Sequence, residues 1–74
     1  MTNVKHSITK REHQIVSALS LGMNSYEISK KLFISIYTVQ THRKNVMEKT
    51  DSRNTAHLIR RCFELGLFNY EIVD

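Results

Sequence analysis

An all-α fold, a compact domain of four short helices, is predicted by three properties of this sequence. Its periodic apolar segments repeat at three- and four-residue spacing, and none alternates as a strand would. There is no proline, and only two glycines interrupt the chain. Thr9, Asn24 and Ser35 each stand just before a periodic run, the first two with Glu three residues later, a signature of helix N-termini.

Helix 1 is expected to start at Thr9. In Thr9-Lys10-Arg11-Glu12 the Thr hydroxyl can take a backbone N–H of the first turn while Glu12 reaches back to the Thr9 N–H. Ile15, Val16 and Leu19 form the apolar stripe, and Gly22 stands where a left-handed residue ends a helix. At about 100° per residue Glu12 projects close to Leu19, on the inward side, where capping accounts for it. Helix 2 repeats the device: Asn24-Ser25-Tyr26-Glu27 caps it, Ile28 and Leu32 face inward at i, i+4, and Lys30 and Lys31 face outward. A three-residue corner, Phe33-Ile34-Ser35, follows, with Ser35 as the N-cap of helix 3 over 36–49. Helix 4 is expected to begin between Asp51 and Asn54 and to end near Gly66, Leu67 and Phe68 folding back on it. Residues 1–7 are read as a flexible N-terminus and 69–74 as a C-terminal tail, flanking a domain over 8–68.

Seventy-four residues make one small domain. A chain of this length buries only about 60% of the surface its unfolded form exposes, so self-association is a natural support. The single cysteine, Cys62, cannot close an internal disulfide and points to a reducing, cytoplasmic setting. No apolar run approaches the length of a membrane span, and the N-terminus lacks the apolar core of a signal peptide. The chain is therefore read as soluble, without a membrane partner.

Eleven Lys and Arg against seven Asp and Glu give a formal charge of +4. The excess is modest, and its placement says more than its size. Lys30, Lys31, Arg43 and Lys44 fall within fifteen residues that hold no acid, a footprint suited to nucleic acid. A solvated charged face would give the same charge pattern.

Helix 3 divides that alternative. On a helical wheel Val39, His42 and Val46 fall on one side, flanked by Thr38, Arg43, Lys49 and Thr50. Tyr37, Gln40, Thr41, Lys44 and Glu48 fall opposite, with Asn45 at the edge. A short capped helix, a tight corner and a second helix with one polar stripe together suit a helix-turn-helix, whose second helix enters the DNA major groove. The stripe has the chemistry for base edges: Gln bonds adenine N6 and N7, Lys donates to guanine O6 and N7, and a Thr methyl meets the thymine methyl. Because the N-terminal part of such a helix does the reading, Gln40, Thr41 and Lys44 are the expected base-reading residues, ahead of the acidic Glu48. Lys31, Ser35, Tyr37, Thr38, Arg43, Lys49 and Arg53 border the stripe and are the expected phosphate contacts. His42 is read as a packed residue. No Cys/His spacing suits a metal, no Gly-rich phosphate loop or nucleophile elbow is present, and neither catalysis, a cofactor nor a small-molecule ligand is expected.

These residues carry a resemblance. ITKRE (8–12), the glycine at 22, N-x-x-E-I (24–28), K-x-L-F-I-S (30–35), T-V-x-x-H (38–42), V-M-x-K (46–49) and the closing G-L (66–67) together resemble the LuxR-type (GerE-like) helix-turn-helix domain of bacterial transcription regulators, over 8–68. The resemblance implies that helix 3 is the recognition helix and that Gln40, Thr41 and Lys44 sit at its base-facing positions. It also implies a homodimer contact on helix 4, to which the sequence offers Leu58, Cys62 and Leu65 on a wide apolar arc. Three features depart from the pattern: Thr50 and Asp51 where Leu and Gly are usual, Thr55 where a base is usual, and Ser29 in place of a small Ala in helix 2. The chain has no room for the receiver or ligand-binding domain common in such regulators, so it is expected to stand alone unless excised from a larger protein.

The leading expectation is a sequence-specific regulator that binds double-stranded DNA as a homodimer, with RNA polymerase a further candidate partner. Two alternatives remain: a promoter-reading fragment similar to region 4 of sigma factors, and a protein-interaction module that pairs through helix 4 with little DNA binding.

Overall fold

The computed structural model of the chain describes residues 8–66. They form four helices and no strand: α1 (Lys10–Ser20), α2 (Ser25–Leu32), α3 (Ile36–Lys49) and α4 (Thr55–Glu64). The terminal segments expected at 1–7 and 69–74, and the fold-back of Leu67 and Phe68, lie outside the described residues.

Each helix begins where a side chain takes over its orphan backbone donors. Thr9 Oγ1 accepts from Glu12 N at 3.0 Å while Glu12 Oε1 accepts from Thr9 N at 3.0 Å. Asn24 and Glu27 form the same reciprocal pair at 2.8 and 2.9 Å. Ser35 Oγ accepts from Thr38 N at 3.0 Å, and Asn54 Oδ1 accepts from His57 N at 2.9 Å. A cap of this kind stabilises by about 1 kcal/mol, which matters for helices of eight to fourteen residues.

Three corners share one way of ending a helix. Gly22, Phe33 and Asp51 adopt left-handed backbone (φ 86, 58 and 55°). The residue after each donates back to the helix: Met23 N to Ala18 O at 3.2 Å, Ile34 N to Ser29 O at 3.1 Å, and Ser52 N to Met47 O at 2.9 Å. These are Schellman turns, and they fold Met23 and Ile34 onto the core. Gly22 adopts this conformation without a Cβ penalty, whereas Phe33 bears a Cβ there and leaves its ring 93% exposed. Phe33→Asn is therefore expected to stabilise the domain by about 0.5–1 kcal/mol, raising Tm by a few degrees. Thermal unfolding followed by circular dichroism checks this, and a lowered Tm would assign the ring a packing role.

The core consists of two clusters joined through α1. Ile15 and Ala18 pack with Ile28 of α2 and Val39 of α3; Val16 packs with Val46 of α3 and with Leu58 and Cys62 of α4. Val39 and Val46 are two turns apart on one face of α3, so this helix is seated at both ends against buried neighbours. Each fully buried aliphatic side chain stabilises by about 1.5–3 kcal/mol. The seating fixes which side of α3 faces water.

Burial also governs Cys62. It pushes the thiol up from about 9 to about 11, against a weaker opposing effect of the Arg61 charge. The folded protein thus retains a proton that the unfolded chain loses first, so stability is full below about pH 9 and declines as pH rises toward 11. Urea midpoints measured across this range should fall more steeply for wild type than for Cys62→Ala. Parallel curves would assign the decline to other groups.

Candidate nucleic-acid interface

The buried line Val39–Val46 has an exposed counterpart. Tyr37, Gln40, Thr41, Lys44, Asn45 and Glu48 all lie on the solvent side of α3, and Tyr37 is 80% exposed. His42, Arg43, Met47 and Lys49 are half-buried at the margins. The two faces are those expected from the wheel, because Val39 and Val46 are both seated in the core.

The three expected base-reading side chains share this exposed face but offer different chemistry. Gln40 presents an amide and Lys44 an ammonium. Thr41 is more constrained: its Oγ1 donates to Tyr37 O at 3.0 Å, so its one hydroxyl proton is already engaged within the helix. What Thr41 has left to offer is a methyl group and oxygen lone pairs.

The expected phosphate contacts fall into different environments. Lys31, Ser35, Tyr37 and Arg53 are exposed, and Thr38 is half-buried with its hydroxyl 2.9 Å from that of Ser35. Arg43 Nη2 donates to Thr55 Oγ1 of α4. Lys49 is engaged elsewhere: its Nζ lies 2.8 Å from Glu12 Oε1, a carboxylate side chain only 3% exposed. The ion pair ties the last turn of α3 to the start of α1, where the same Glu12 oxygen already caps Thr9. Sequence reasoning placed Glu12 inward but gave it no partner. The available signal was that a buried carboxylate requires a cation, and Lys49 flanks the inward face of α3.

The C-terminal end of α3 is fastened by α4 as well. Arg61 Nε donates to Thr50 O at 2.9 Å. Thr50 is itself buried, and its hydroxyl donates to Val46 O at 2.9 Å, which leaves Ser52 as the donor in their 2.6 Å contact. Beside this corner an open cleft of about 470 Å³ is lined by Arg43, Lys44, Met47, Glu48, Asp51 and Ser52.

Placing Leu58 and Cys62 in a dimer contact requires correction. Both side chains are fully buried in the core of their own protomer, and Leu65 is half-buried against the same cluster. The wide apolar arc of α4 is used up internally because Val16 and Val46 cover it. The exposed residues of α4 are Ala56, Arg60, Phe63 and Glu64, with Phe63 68% exposed and Arg60 Nε 3.3 Å from Glu64 Oε2.

The sequence model of the luxR family of bacterial regulatory proteins matches residues 6–62. The chain belongs to the luxR family. It is 44% identical over 57 residues to the transcriptional regulatory protein UhpA of Escherichia coli K12, covering 77% of this chain and 29% of that protein. It is 39% identical over 60 residues to the transcriptional regulatory protein FixJ of Rhizobium meliloti, covering 81% of this chain and 29% of that one. It is 34% identical over 62 residues to the uncharacterised response regulatory protein YgeK of Escherichia coli K12, covering 84% of this chain and 42% of that one. The chain thus spans less than half the length of these relatives. No solved structure matches it.

The departures from the luxR pattern each find a local solution. Asp51 takes the left-handed position usual for Gly, and the buried Thr50 satisfies its hydroxyl on the preceding turn. Ser29, also buried, donates to Tyr26 O at 2.6 Å. Thr55 accepts from Arg43. Among the described residues no helix is long and apolar enough to cross a membrane.

Proposed function

We propose that this chain is a sequence-specific double-stranded DNA-binding module that regulates transcription, with α3 seated in the major groove. One observation carries it: α3 has a fully buried Val39–Val46 line and, opposite, an unbroken exposed stripe of Tyr37, Gln40, Thr41, Lys44 and Glu48. The stripe lies on the second helix of a capped helix-turn-helix in a luxR-family chain. Gln40, Thr41 and Lys44 read base edges, and Lys31, Ser35, Tyr37, Thr38, Arg43 and Arg53 hold phosphates. The relatives named as transcriptional regulatory proteins support the same reading.

Two copies act together, each placing one α3 in successive major grooves about one helical turn (~10 bp) apart. Since Leu58 and Cys62 fill the protomer core, pairing uses the outward stripe of α4 at Ala56, Arg60 and Phe63, spaced i, i+4, i+7. Selecting bound sites from a random duplex library tests both parts. Enrichment of two related half-sites about one turn apart is expected. Recovery of unenriched sequence, with random and selected duplexes bound equally at every salt concentration, would remove the sequence-specific reading.

A further inference from the structure

Two cations of α3 and α4 lie against carboxylates, Lys49 on Glu12 and Arg60 on Glu64, and two arginines donate to neutral acceptors. Arg61 Nε donates to the carbonyl that ends α3. Arg43, half-buried beside the exposed stripe, donates one Nη2 proton to a neutral partner, the hydroxyl of Thr55 on α4. Such a bond fixes the direction of the guanidinium without neutralising its charge. The guanidinium has five N–H donors in a rigid fork, so anchoring one aims the rest.

We infer that Thr55 is a positioning residue for DNA binding: its hydroxyl fixes the Arg43 guanidinium so that the remaining N–H groups grip a backbone phosphate. This rests on the DNA-binding reading above. Two physical arguments support it. A long cationic side chain ordinarily loses its rotamer freedom on meeting a phosphate, and a residue fixed beforehand escapes most of that loss. Arg43 also borders the open cleft shared with Lys44, Glu48 and Asp51. With two acids lining the same cleft, a phosphate is favoured only on the Arg43 and Lys44 side, so the aim of the guanidinium decides whether the contact forms. Thr55 couples this contact to α4, the helix on which the proposed partner protomer docks.

The test compares wild type, Thr55→Val, Thr55→Ser, Arg43→Ala and the double variant Thr55→Val/Arg43→Ala, binding a selected duplex across a salt series. Thr55→Val keeps the shape and loses the hydroxyl; it is expected to bind about tenfold more weakly and to flatten the log–log salt slope by about 0.9, one phosphate. Thr55→Ser should restore both. In the Arg43→Ala background Thr55→Val should alter neither measurably. An unchanged slope in Thr55→Val, or an equal loss of affinity when Arg43 is absent, would overturn the inference. In the free protein, the Arg43 Nη2–H resonances should be resolved, with slow rotation about Cζ–Nη2, in wild type and averaged in Thr55→Val; averaging in both would overturn the clamp without reference to DNA. A wild type that binds no duplex would remove the phosphate role together with the DNA reading, while the resonances still report separately on the clamp.

Discussion

Leu58→Ala is expected to destabilise the domain by about 3–4 kcal/mol. Leu58 is fully buried where α1, α3 and α4 meet, in contact with the cluster of Val16, Val46 and Cys62. Truncation removes its transfer free energy and leaves a cavity among neighbours that are seated on three different helices and cannot all close in. A 74-residue domain has a total stability of roughly 4–11 kcal/mol, so this one change takes a large share of it. Leu58→Glu, which buries an unpaired charge, should prevent folding at 37 °C. Urea unfolding of the Ala variant supplies the number. An outward residue of the same helix gives the contrast: Ala56→Glu should leave the unfolding midpoint nearly unchanged and shift light-scattering mass toward the monomer. If Leu58→Ala instead costs under about 1 kcal/mol and changes the mass, Leu58 belongs to an intermolecular contact and not to the protomer core.

That contrast also marks how far the sequence could be read. Helix starts were legible because capping is local: Thr9 with Glu12 and Asn24 with Glu27 each make a closed hydrogen-bonded pair within four residues. The faces of α3 were legible for a related reason, since a period of 3.6 residues is enough to separate Val39 and Val46 from Gln40, Thr41 and Lys44. The partners of Glu12, Arg43 and Arg61 were not legible. Each lies across a helix boundary, 37, 12 and 11 residues away, and depends on how helices cross. The apolar arc of α4 misled for the same reason. A stripe wider than 100° signals more than one neighbour, but periodicity alone does not say whether the second neighbour is Val46 of the same chain or another copy. The left-handed Phe33 was hidden too, because Phe does not announce positive φ as Gly22 does, whereas Asp51 stands where the resembled family has Gly.

Gln40→Ala and Lys44→Ala are each expected to cost roughly 1–3 kcal/mol of discrimination at one base-pair position per half-site. Both side chains leave the exposed face of α3, Gln40 in its second turn after the Ser35 cap and Lys44 one turn further, so with α3 docked as proposed they would reach successive positions along the groove. Their losses should differ in kind. Gln40 is neutral: its removal should relax preference for adenine at one position and leave the salt slope as it was. Lys44 carries charge: its removal should relax preference for guanine and also weaken binding to every duplex. Between them Thr41, whose hydroxyl proton is engaged with Tyr37 O, can contribute chiefly through its methyl group. Thr41→Ser, which retains the hydroxyl and loses the methyl, should therefore erase the difference between thymine and uracil at the position it faces. Site selections with the three variants measure all of this in parallel. If the preferred sequence survives both Gln40→Ala and Lys44→Ala, base reading lies elsewhere on the protein and the exposed stripe is only a solvated face.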